Sequence, residues 1–264
     1  MPDRSHQGQL RPGREALSPA ADLSSFGLSP DSFITVLTGA GVSAECGIPT
    51  FRGEGGLWRT YRAEDLATPG AFSKDPRLVW EWYDYRRGIC ADKDPNPAHH
   101  AITRLDENLE NFLLITQNVD NLHGRAGTRR LVELHGNLYR ARCLDCGALD
   151  RDLPVPLAEI PPHCSCGGML RPDIVWFGEA LPEEAIGLAS EASRECDLMV
   201  VAGTSAIVQP AASMPLLARQ AGAHVIEVNP DPTPLTPYVD IHLEGKAGEI
   251  MPGLVDAILE AVSP

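Results

Sequence analysis

Four short apolar runs, separated by longer helix-like or loop-rich stretches, constrain the fold of this chain most strongly. They span residues 32–37, 111–116, 198–202 and 224–228. Each has the length and the aliphatic or β-branched content of a buried strand, and helix-like segments such as 182–195 and 211–221 lie between them. Buried strands that alternate with helices predict an α/β fold with a doubly wound parallel sheet.

Two regions interrupt this alternation. Residues 52–100 are helix-like and rich in loops, and residues 140–172 hold four closely spaced cysteines among prolines and glycines. Both have the character of insertions that together form a smaller module. A cleft between such a module and an open sheet is a favoured place for a ligand.

A glycine-rich turn, GAGVSA, follows the first apolar run. Gly39, Gly41 and Ala44 occupy the three positions of a dinucleotide-binding fingerprint, with Ala40 and Ser43 between them. In that fingerprint the backbone N–H groups at the start of the following helix face a pyrophosphate. Taken alone, the turn fits a plain strand–turn–helix connection equally well.

The continuation of this segment favours a bound nucleotide. A proline at position 49 ends the helix early, so Thr50, Phe51 and Arg52 lie on a loop that has the character of a cover over a cofactor. The acidic residue that usually recognises the ribose about 20 positions on is not evident. Ribose recognition is therefore expected from another part of the chain.

Two later turns follow apolar runs and can supply polar contacts. Gly203, Thr204 and Ser205 come after the third run, and Asn229 comes after the fourth. Ligands of open α/β sheets bind at the carboxyl ends of the strands, where these turns lie. Each turn taken singly can also be an ordinary turn former, but three of them on three strands favour a binding site.

The cysteine-rich region has the spacing of a metal site. Its four cysteines form a Cys-x2-Cys pair and, after seventeen residues, a Cys-x-Cys pair, at positions 143, 146, 164 and 166. Four thiolates suit a closed, tetrahedral structural zinc site. The second pair is tighter than usual, and His163 is an alternative ligand. Cys46, Cys90 and Cys196 stand apart and are predicted to be packing residues.

Composition limits the classes of function. The chain has 264 residues and a formal net charge of −14, which argues against broad contact with nucleic acid or anionic membrane and suits partners that carry lysines. Residues 1–28 read as a polar, disordered tail without the apolar core of a signal peptide, and no apolar run is long enough for a membrane span. Seven cysteines without a secretion signal indicate a reducing compartment, the cytoplasm.

Several longer motifs occur in a defined order: GAGVSAECGIPTFRG, TQNVDNLHGRAG, ELHG, CLDCG, RPDIVWFGE, AGTS and VNP. With these motifs the sequence resembles a sirtuin, an NAD-dependent protein-lysine deacylase, from about Phe33 to Leu254. The resemblance implies a catalytic domain over 29–264 with a Rossmann-like large part formed by about 29–51, 101–138 and 174–264. It also implies a small part composed of a helical segment, 52–100, and a zinc-binding module, 139–173.

The resemblance also implies roles for individual residues. His135, in ELHG, matches the catalytic base. Val175, Trp176 and Phe177 would flank an acyl-lysine substrate, whose backbone would add as an extended strand. The residues that would contact NAD, with Ala247 near the adenine, are Ala40, Thr50, Phe51, Arg52, Gln117, Asn118, Asp120, Gly203, Ser205 and Asn229.

The implied reaction cleaves nicotinamide from NAD, and the amide oxygen of the acyl-lysine attacks C1′ of the ribose. A base then helps a ribose hydroxyl to attack the imidate carbon, a task that suits imidazole because its ordinary pKa lies near neutral pH. The products would be nicotinamide, O-acyl-ADP-ribose and free lysine. A mono-ADP-ribosyltransferase, an NAD hydrolase and a non-catalytic NAD-binding module are the alternatives.

The stretch YDYRR, residues 83–87, has the composition of a solvated helix face. Tyr83 and Arg86 are three residues apart and therefore share one face of a helix. They match the Tyr-x-x-Arg pair of the sirtuin class that removes negatively charged acyl groups, and Ala67 matches the small residue that widens its acyl pocket. The resemblance thus implies a preference for succinyl, malonyl or glutaryl groups, with general deacetylation as the alternative.

Overall fold

The computed structural model describes residues 23–51, 56–60 and 62–263. Within these residues the chain forms nine strands: β1 (Ile34–Thr38), β2 (Phe112–Thr116), β3 (Leu131–Glu133), β4 (Gly136–Cys143), β5 (Leu149–Asp150), β6 (Leu170–Ile174), β7 (Leu198–Ala202), β8 (His224–Asn229) and β9 (Ile241–Glu244). The same residues form ten α-helices: α1 (Gly41–Ala44), α2 (Leu57–Thr60), α3 (Ala63–Leu66), α4 (Pro69–Lys74), α5 (Pro76–Ala91), α6 (Pro97–Asn108), α7 (Leu122–Ala126), α8 (Glu183–Glu195), α9 (Met214–Ala221) and α10 (Ala247–Ala261). Three short 3-10 helices span Ser24–Phe26, Ala211–Ser213 and Thr236–Tyr238.

A six-stranded parallel sheet carries the large part of the molecule, with the strand order β3-β2-β1-β7-β8-β9. The predicted doubly wound sheet is therefore confirmed. The chain builds outward from β1 to β3 and then returns to β7 on the other side of β1. This reversal places a topological switch point between β1 and β7, and such a point opens a crevice at the carboxyl ends of the two strands.

Both faces of this sheet are buried, which explains why its central strands are almost wholly apolar. Along β1, Ile34 and Val36 pack into a core with α6 and α10, whereas Leu37 packs on the opposite side against residues of α8 and α9. Alternate side chains of a strand point to opposite faces, so each apolar run supplies both cores.

The small part has its own core, in which two segments distant in sequence meet. Helix α5 begins at Pro76 behind Asp75, whose carboxylate accepts a hydrogen bond from the Leu78 N–H at 3.0 Å. Trp80, on the buried face of α5, donates its indole N–H to the Leu170 carbonyl of β6 at 2.8 Å. This bond joins the helical segment to the three-stranded sheet β5-β4-β6 of the cysteine-rich segment.

The structure corrects two predicted boundaries. Residues 23–28, assigned to a disordered tail, belong to the folded domain because Leu23 is 4% exposed and lies in the core of the sheet. The large part resumes at Pro97, where α6 begins, because the buried face of α6 packs on the sheet. The predicted tail over 1–22 lies outside the described residues.

The sequence did not predict β3 and β9 at the two edges of the sheet. They are short and only partly buried, so their composition carries a weak strand signal. The predicted helix over 211–221 begins as a 3-10 turn before α9. No helix within the described segments has the length and apolar character needed to cross a bilayer.

Candidate active site

A cavity of about 900 Å³ lies at the carboxyl ends of β1, β7 and β8, between the sheet and the small part. Its position matches the crevice that the strand order creates. It gathers most of the residues predicted to bind ligands, namely Gly39, Ala40, Gly41, Ala44, Thr50, Phe51, Ala67, Tyr83, Arg86, Gln117, Asn118, His135, Val175, Trp176, Phe177, Gly203, Thr204, Ser205, Asn229 and Ala247.

Two glycine-containing turns touch each other at the floor of this cavity. The Gly41 N–H donates to the Gly203 carbonyl at 2.8 Å, and Gly39 N–H donates to the Ala202 carbonyl at 3.1 Å. A Cβ at Gly203 would lie 2.4 Å from the Val42 nitrogen, and the residue has a φ of +60°. Only glycine combines this close approach with a left-handed backbone, so the turn that follows β7 cannot hold a side chain at this point.

Side chains from neighbouring strand ends connect these turns. The Thr38 hydroxyl donates to the Thr116 hydroxyl at 2.8 Å, and the Thr116 oxygen accepts the Asn118 N–H at 3.0 Å. The Gln117 amide donates to the Thr204 hydroxyl at 3.1 Å. The loop after β2 is thereby held in register with the loop after β7.

Ser43 and Asp120 are buried but do not line the cavity. The Ser43 hydroxyl accepts a hydrogen bond from the Asn118 side chain at 3.3 Å, and the Asp120 carboxylate accepts the Leu122 N–H at 2.9 Å. Burial raises the pKa of Asp120. Both residues support their neighbours in the binding loop, and a direct contact of either with NAD stays a prediction. Arg52 lies outside the described residues.

His135 lies between β3 and β4 and lines the cavity. Its Nδ1 is 3.1 Å from the Gln117 carbonyl oxygen, which can only accept, so Nδ1 carries the proton and Nε2 carries the lone pair. Burial lowers the pKa of His135, against the smaller effect of this hydrogen bond. The imidazole is therefore neutral near neutral pH and held in one tautomer, as a general base must be.

Two further histidines, His99 and His123, have structural surroundings. His123 is buried, its Nε2 is 3.1 Å from the Thr38 hydroxyl, and its ring packs on that of His99. Burial lowers the pKa of His123 well below the ordinary range and that of His99 to about 4. His99 also completes a capping box with Asn96 at the start of α6.

One end of the cavity is walled by α5 and by the segment that follows β6. Ala67 accepts the Phe177 N–H at 2.9 Å through its carbonyl, and Tyr83 and Arg86 project from the same face of α5. The Arg86 guanidinium lies 4.6 Å from the Phe51 ring centroid and 5.1 Å from that of Trp82. Arg86 is 6% exposed, so this end of the cavity contains a cation that is largely removed from water.

Comparisons with known proteins agree on one family. The sequence pattern of the Sir2 family matches residues 39–210, which is more than half of the chain. The chain belongs to the Sir2 family. The NAD-dependent protein deacylase of Aquifex aeolicus is 51% identical to this sirtuin over 228 residues, which cover 86% of this chain and 95% of that protein. NAD-dependent protein deacylase 2 of Pyrobaculum aerophilum is 50% identical, over 88% of this chain and 93% of that protein.

Solved structures agree with this assignment. A crystal structure of a Sir2 homolog–NAD complex is similar to this sirtuin with a TM-score of 0.83 and 48% identity. The similarity covers 92% of this chain and 96% of the other. The cavity of this sirtuin therefore belongs to a fold whose members include a protein bound to NAD.

The four cysteines of the small part converge as the spacing predicted. The Sγ atoms of Cys143, Cys146, Cys164 and Cys166 lie within 4.8 Å of one another, and three of the pairs are separated by 3.5 to 3.8 Å. Tetrahedral zinc with Zn–S bonds of about 2.3 Å requires S–S separations of about 3.8 Å. The cluster thus fits one structural zinc ion. His163 is not part of it, because its Nδ1 faces Glu159 at 3.7 Å.

Part of the cavity wall consists of residues that the sequence did not predict. Residues 230–234 after β8, Val208, Gln209 and Trp82 also line it. A buried carboxylate, Glu227, supports the 230–234 loop by accepting hydrogen bonds from the Thr233 and Thr236 hydroxyls. The proline-rich run at 230–237 directly after a predicted strand was the one available signal, since a loop in that position lies beside the switch point.

Proposed function

We propose that this sirtuin is an NAD-dependent protein-lysine deacylase that removes acidic acyl groups, such as succinyl, malonyl and glutaryl, in preference to acetyl. The products are nicotinamide, the O-acyl-ADP-ribose and free lysine. The proposal combines the family membership with three local features: a glycine-lined end suited to a pyrophosphate, a neutral histidine between the two ends of the cavity, and a cationic acyl end.

The glycine-lined end suits the nucleotide. The turns at 39–41 and 203–205 expose backbone where no Cβ intervenes, and backbone N–H groups near a helix start favour phosphate. Thr50 and Phe51 lie on the loop that follows α1 and line the same cavity, with the Phe51 ring 4.6 Å from the Arg86 guanidinium. In this proposal Phe51 excludes water from the reacting ribose carbon, which solvent would otherwise attack as positive charge develops on it.

His135 serves as the base in this proposal. The Gln117 carbonyl accepts a hydrogen bond from the Nδ1–H, so Nε2 is the nitrogen that accepts a proton from a ribose hydroxyl. The His135 carbonyl also accepts the Val175 N–H at 3.0 Å, which ties the base to the segment that flanks the acyl-lysine. The zinc site is closed by four cysteines and supplies stability, not chemistry.

The acidic-acyl preference rests on Arg86. Within the described parts of the chain, the Arg86 guanidinium packs against the rings of Phe51 and Trp82 and makes no ion pair or hydrogen bond, and the Asp120 carboxylate acts on it only electrostatically. A guanidinium stays charged at any physiological pH and has five donors, and leaving a buried charge unpaired is unfavourable. An acyl carboxylate in the cavity would provide both the missing counter-charge and acceptors for a two-point hydrogen bond.

The neighbouring arginine has the opposite surroundings and provides a matched control. Arg87 is buried outside the cavity and donates to the Leu153 and Pro154 carbonyls at 2.8 and 3.0 Å. It also pairs with Asp84 at 3.2 Å. Its two terminal nitrogens thus donate to groups of the fold, whereas those of Arg86 are available to a ligand.

The test compares kcat/KM of the wild type, Arg86→Met and Arg87→Met on one peptide that carries succinyl-lysine or acetyl-lysine. A charge-assisted hydrogen bond contributes about 1.5–3 kcal/mol, so Arg86→Met should lower the succinyl-to-acetyl ratio roughly 10- to 150-fold. Arg87→Met should leave that ratio unchanged, because any loss of stability affects both substrates alike.

Three outcomes would contradict the proposal. A wild-type enzyme that prefers acetyl-lysine would make it a general deacetylase. An equal loss on both substrates in Arg86→Met would assign Arg86 to the fold alone. Mass spectrometry that finds ADP-ribosylated protein or free ADP-ribose in place of O-acyl-ADP-ribose would identify a transferase or an NAD hydrolase.

A further inference from the structure

Trp176 lines the cavity together with Tyr83 and Arg86. Trp176 is 3% exposed and follows β6. Its Nε1 lies 2.9 Å from the Tyr83 hydroxyl oxygen. An indole nitrogen can only donate, so the hydroxyl oxygen is the acceptor in this bond. The direction of the bond is thus decided by the chemistry of the tryptophan.

This direction leaves the Tyr83 hydrogen available. A phenol has one hydrogen to donate, and within the described residues no acceptor is placed to take it. Burial raises the pKa of Tyr83 to about 12, so the hydroxyl keeps its proton across the range in which the enzyme can be assayed. Tyr83 lines the cavity, and its hydroxyl has a hydrogen to donate to a ligand there.

Trp176 is held firmly in this position. Glu179 accepts the Trp176 backbone N–H at 2.8 Å and pairs with Arg171 through contacts of 2.6 and 2.9 Å. The Arg171 guanidinium carbon lies 3.7 Å from the centroid of the Trp176 ring. The stacked Arg171 guanidinium and the Glu179 carboxylate that binds the backbone fix the indole plane. The indole N–H therefore stays directed at the Tyr83 hydroxyl.

We infer that Trp176 is a specificity-determining positioning residue, which orients the Tyr83 hydroxyl to donate to the carboxylate of an acidic acyl group. The inference rests on the proposed function, since it deepens the account of the same acyl end. Arg86 and Tyr83 then both present donors and no acceptors to the ligand. A carboxylate satisfies both groups, whereas the methyl group of an acetyl satisfies neither.

The experiment is a double-mutant cycle with Trp176→Phe and Tyr83→Phe, in which kcat/KM is measured for succinyl- and acetyl-lysine versions of one peptide. Phenylalanine removes the indole N–H and leaves an aromatic ring. Trp176→Phe should lower the succinyl-to-acetyl ratio about 3- to 10-fold, the range expected for a neutral hydrogen bond. In the Tyr83→Phe background the same change should not lower the ratio further, because the acceptor is already absent.

Trp80→Phe is the matched control. Trp80 is a second buried indole that donates to a backbone carbonyl, that of Leu170, and does not line the cavity. Its replacement should leave the substrate ratio unchanged. If Trp176→Phe fails to fold, benzothienylalanine at position 176 keeps the shape of the indole without its N–H and should give the same loss of ratio.

Binding provides a second readout. Calorimetry with the succinyl-lysine peptide should show weaker binding to the Trp176 variant by a similar factor. The inference is overturned if Trp176 variants lose activity equally on both substrates, or if their effect on the ratio is additive with Tyr83→Phe. Either result, obtained with a wild type that prefers succinyl-lysine, leaves the proposed function standing. A wild type that prefers acetyl-lysine instead removes the proposed function itself.

Discussion

Adjacent residues of one helix can have opposite roles, as Arg86 and Arg87 demonstrate. Both are buried, and burial lowers the pKa of both guanidinium groups, yet among the described residues Arg87 has hydrogen-bond acceptors whereas Arg86 packs on aromatic rings. The difference arises because the 100° turn per residue sends one side chain to the small core and the other to the cavity. At the residue scale, whether an arginine can bind a ligand therefore depends on whether the fold already supplies acceptors for its N–H groups.

The role of His135 can be tested by a single substitution. His135→Ala should lower peptide deacylation by about 10²–10⁴-fold, the usual contribution of a general base, while NAD still binds. Steady-state kinetics and calorimetry with NAD measure the two effects. His100→Ala, on the exposed side of α6, is the control and should keep full activity. Deacylation within tenfold of the wild type would remove His135 from this role.

The pH dependence of kcat/KM should also report His135. Burial lowers its pKa from the ordinary value of 6.5, and a base is active only when unprotonated. Activity should therefore persist down to pH 6.5 and fall only as the pH drops through the lowered value. An acidic limb with an apparent pKa above 6.5, measured in the wild type with a succinyl-lysine peptide, would disagree with this assignment.

At the scale of elements, the decisive contact is that between the turns after β1 and β7. The two strands are neighbours in the sheet, and their register brings Thr38 beside Ala202. Because the following residues are glycines, the two loops close on each other without side chains between them. The proposed site for the nucleotide therefore depends on strand order combined with glycine at two distant positions.

Gly203→Ala tests this contact. The left-handed backbone alone costs an alanine roughly 1–3 kcal/mol, and its Cβ would also meet the Val42 nitrogen at 2.4 Å. The variant should unfold at a lower denaturant concentration and bind NAD more weakly. Gly187→Ala, within α8 where no atom lies within 4 Å of the added Cβ, should instead stabilise by up to about 1 kcal/mol. Equal stability of the two variants would refute the close approach.

At the scale of the whole molecule, the cavity exists because two insertions fold together. The core of the small part combines Trp80 and Val79 of the helical segment with Leu170 of the cysteine-rich segment, and Cys143 itself is buried in it. Tyr83 on α5 and Trp176 after β6 face each other only because this core forms. The zinc site therefore supports the acyl end of the cavity although it is closed to substrate.

Metal removal tests this dependence. Purified protein should contain one zinc per chain, and Cys143→Ser or Cys166→Ser should yield unstable or insoluble protein, because metal binding and folding are coupled. A strong chelator should lower the melting temperature and abolish deacylation together. Cys46→Ser, outside the four-cysteine cluster, should retain the metal. Metal analysis that finds no zinc in active protein would contradict the structural role.

The sequence alone determined the fold class and the family of this protein. The central strands, the glycine turn, the four cysteines and the order of motifs are local patterns, since apolar periodicity and turn chemistry are determined by nearby residues. They predicted the doubly wound sheet, which the structure confirms, and the family, which the comparisons confirm. They also placed Tyr83 and Arg86 on one helix face, because that relation depends on spacing alone.

Only the tertiary structure decided how these pieces meet. Ser43 and Asp120 lie behind the cavity wall, residues 23–28 join the core, and edge strands β3 and β9 form where composition gave little signal. The bond from Trp176 to Tyr83 joins residues 93 positions apart, and the clamp of Arg171 and Glu179 that holds it has no local pattern. Long-range packing determines which donors find acceptors, so it is only in the folded chain that the Tyr83 hydroxyl and the Arg86 guanidinium lack an acceptor among the described residues.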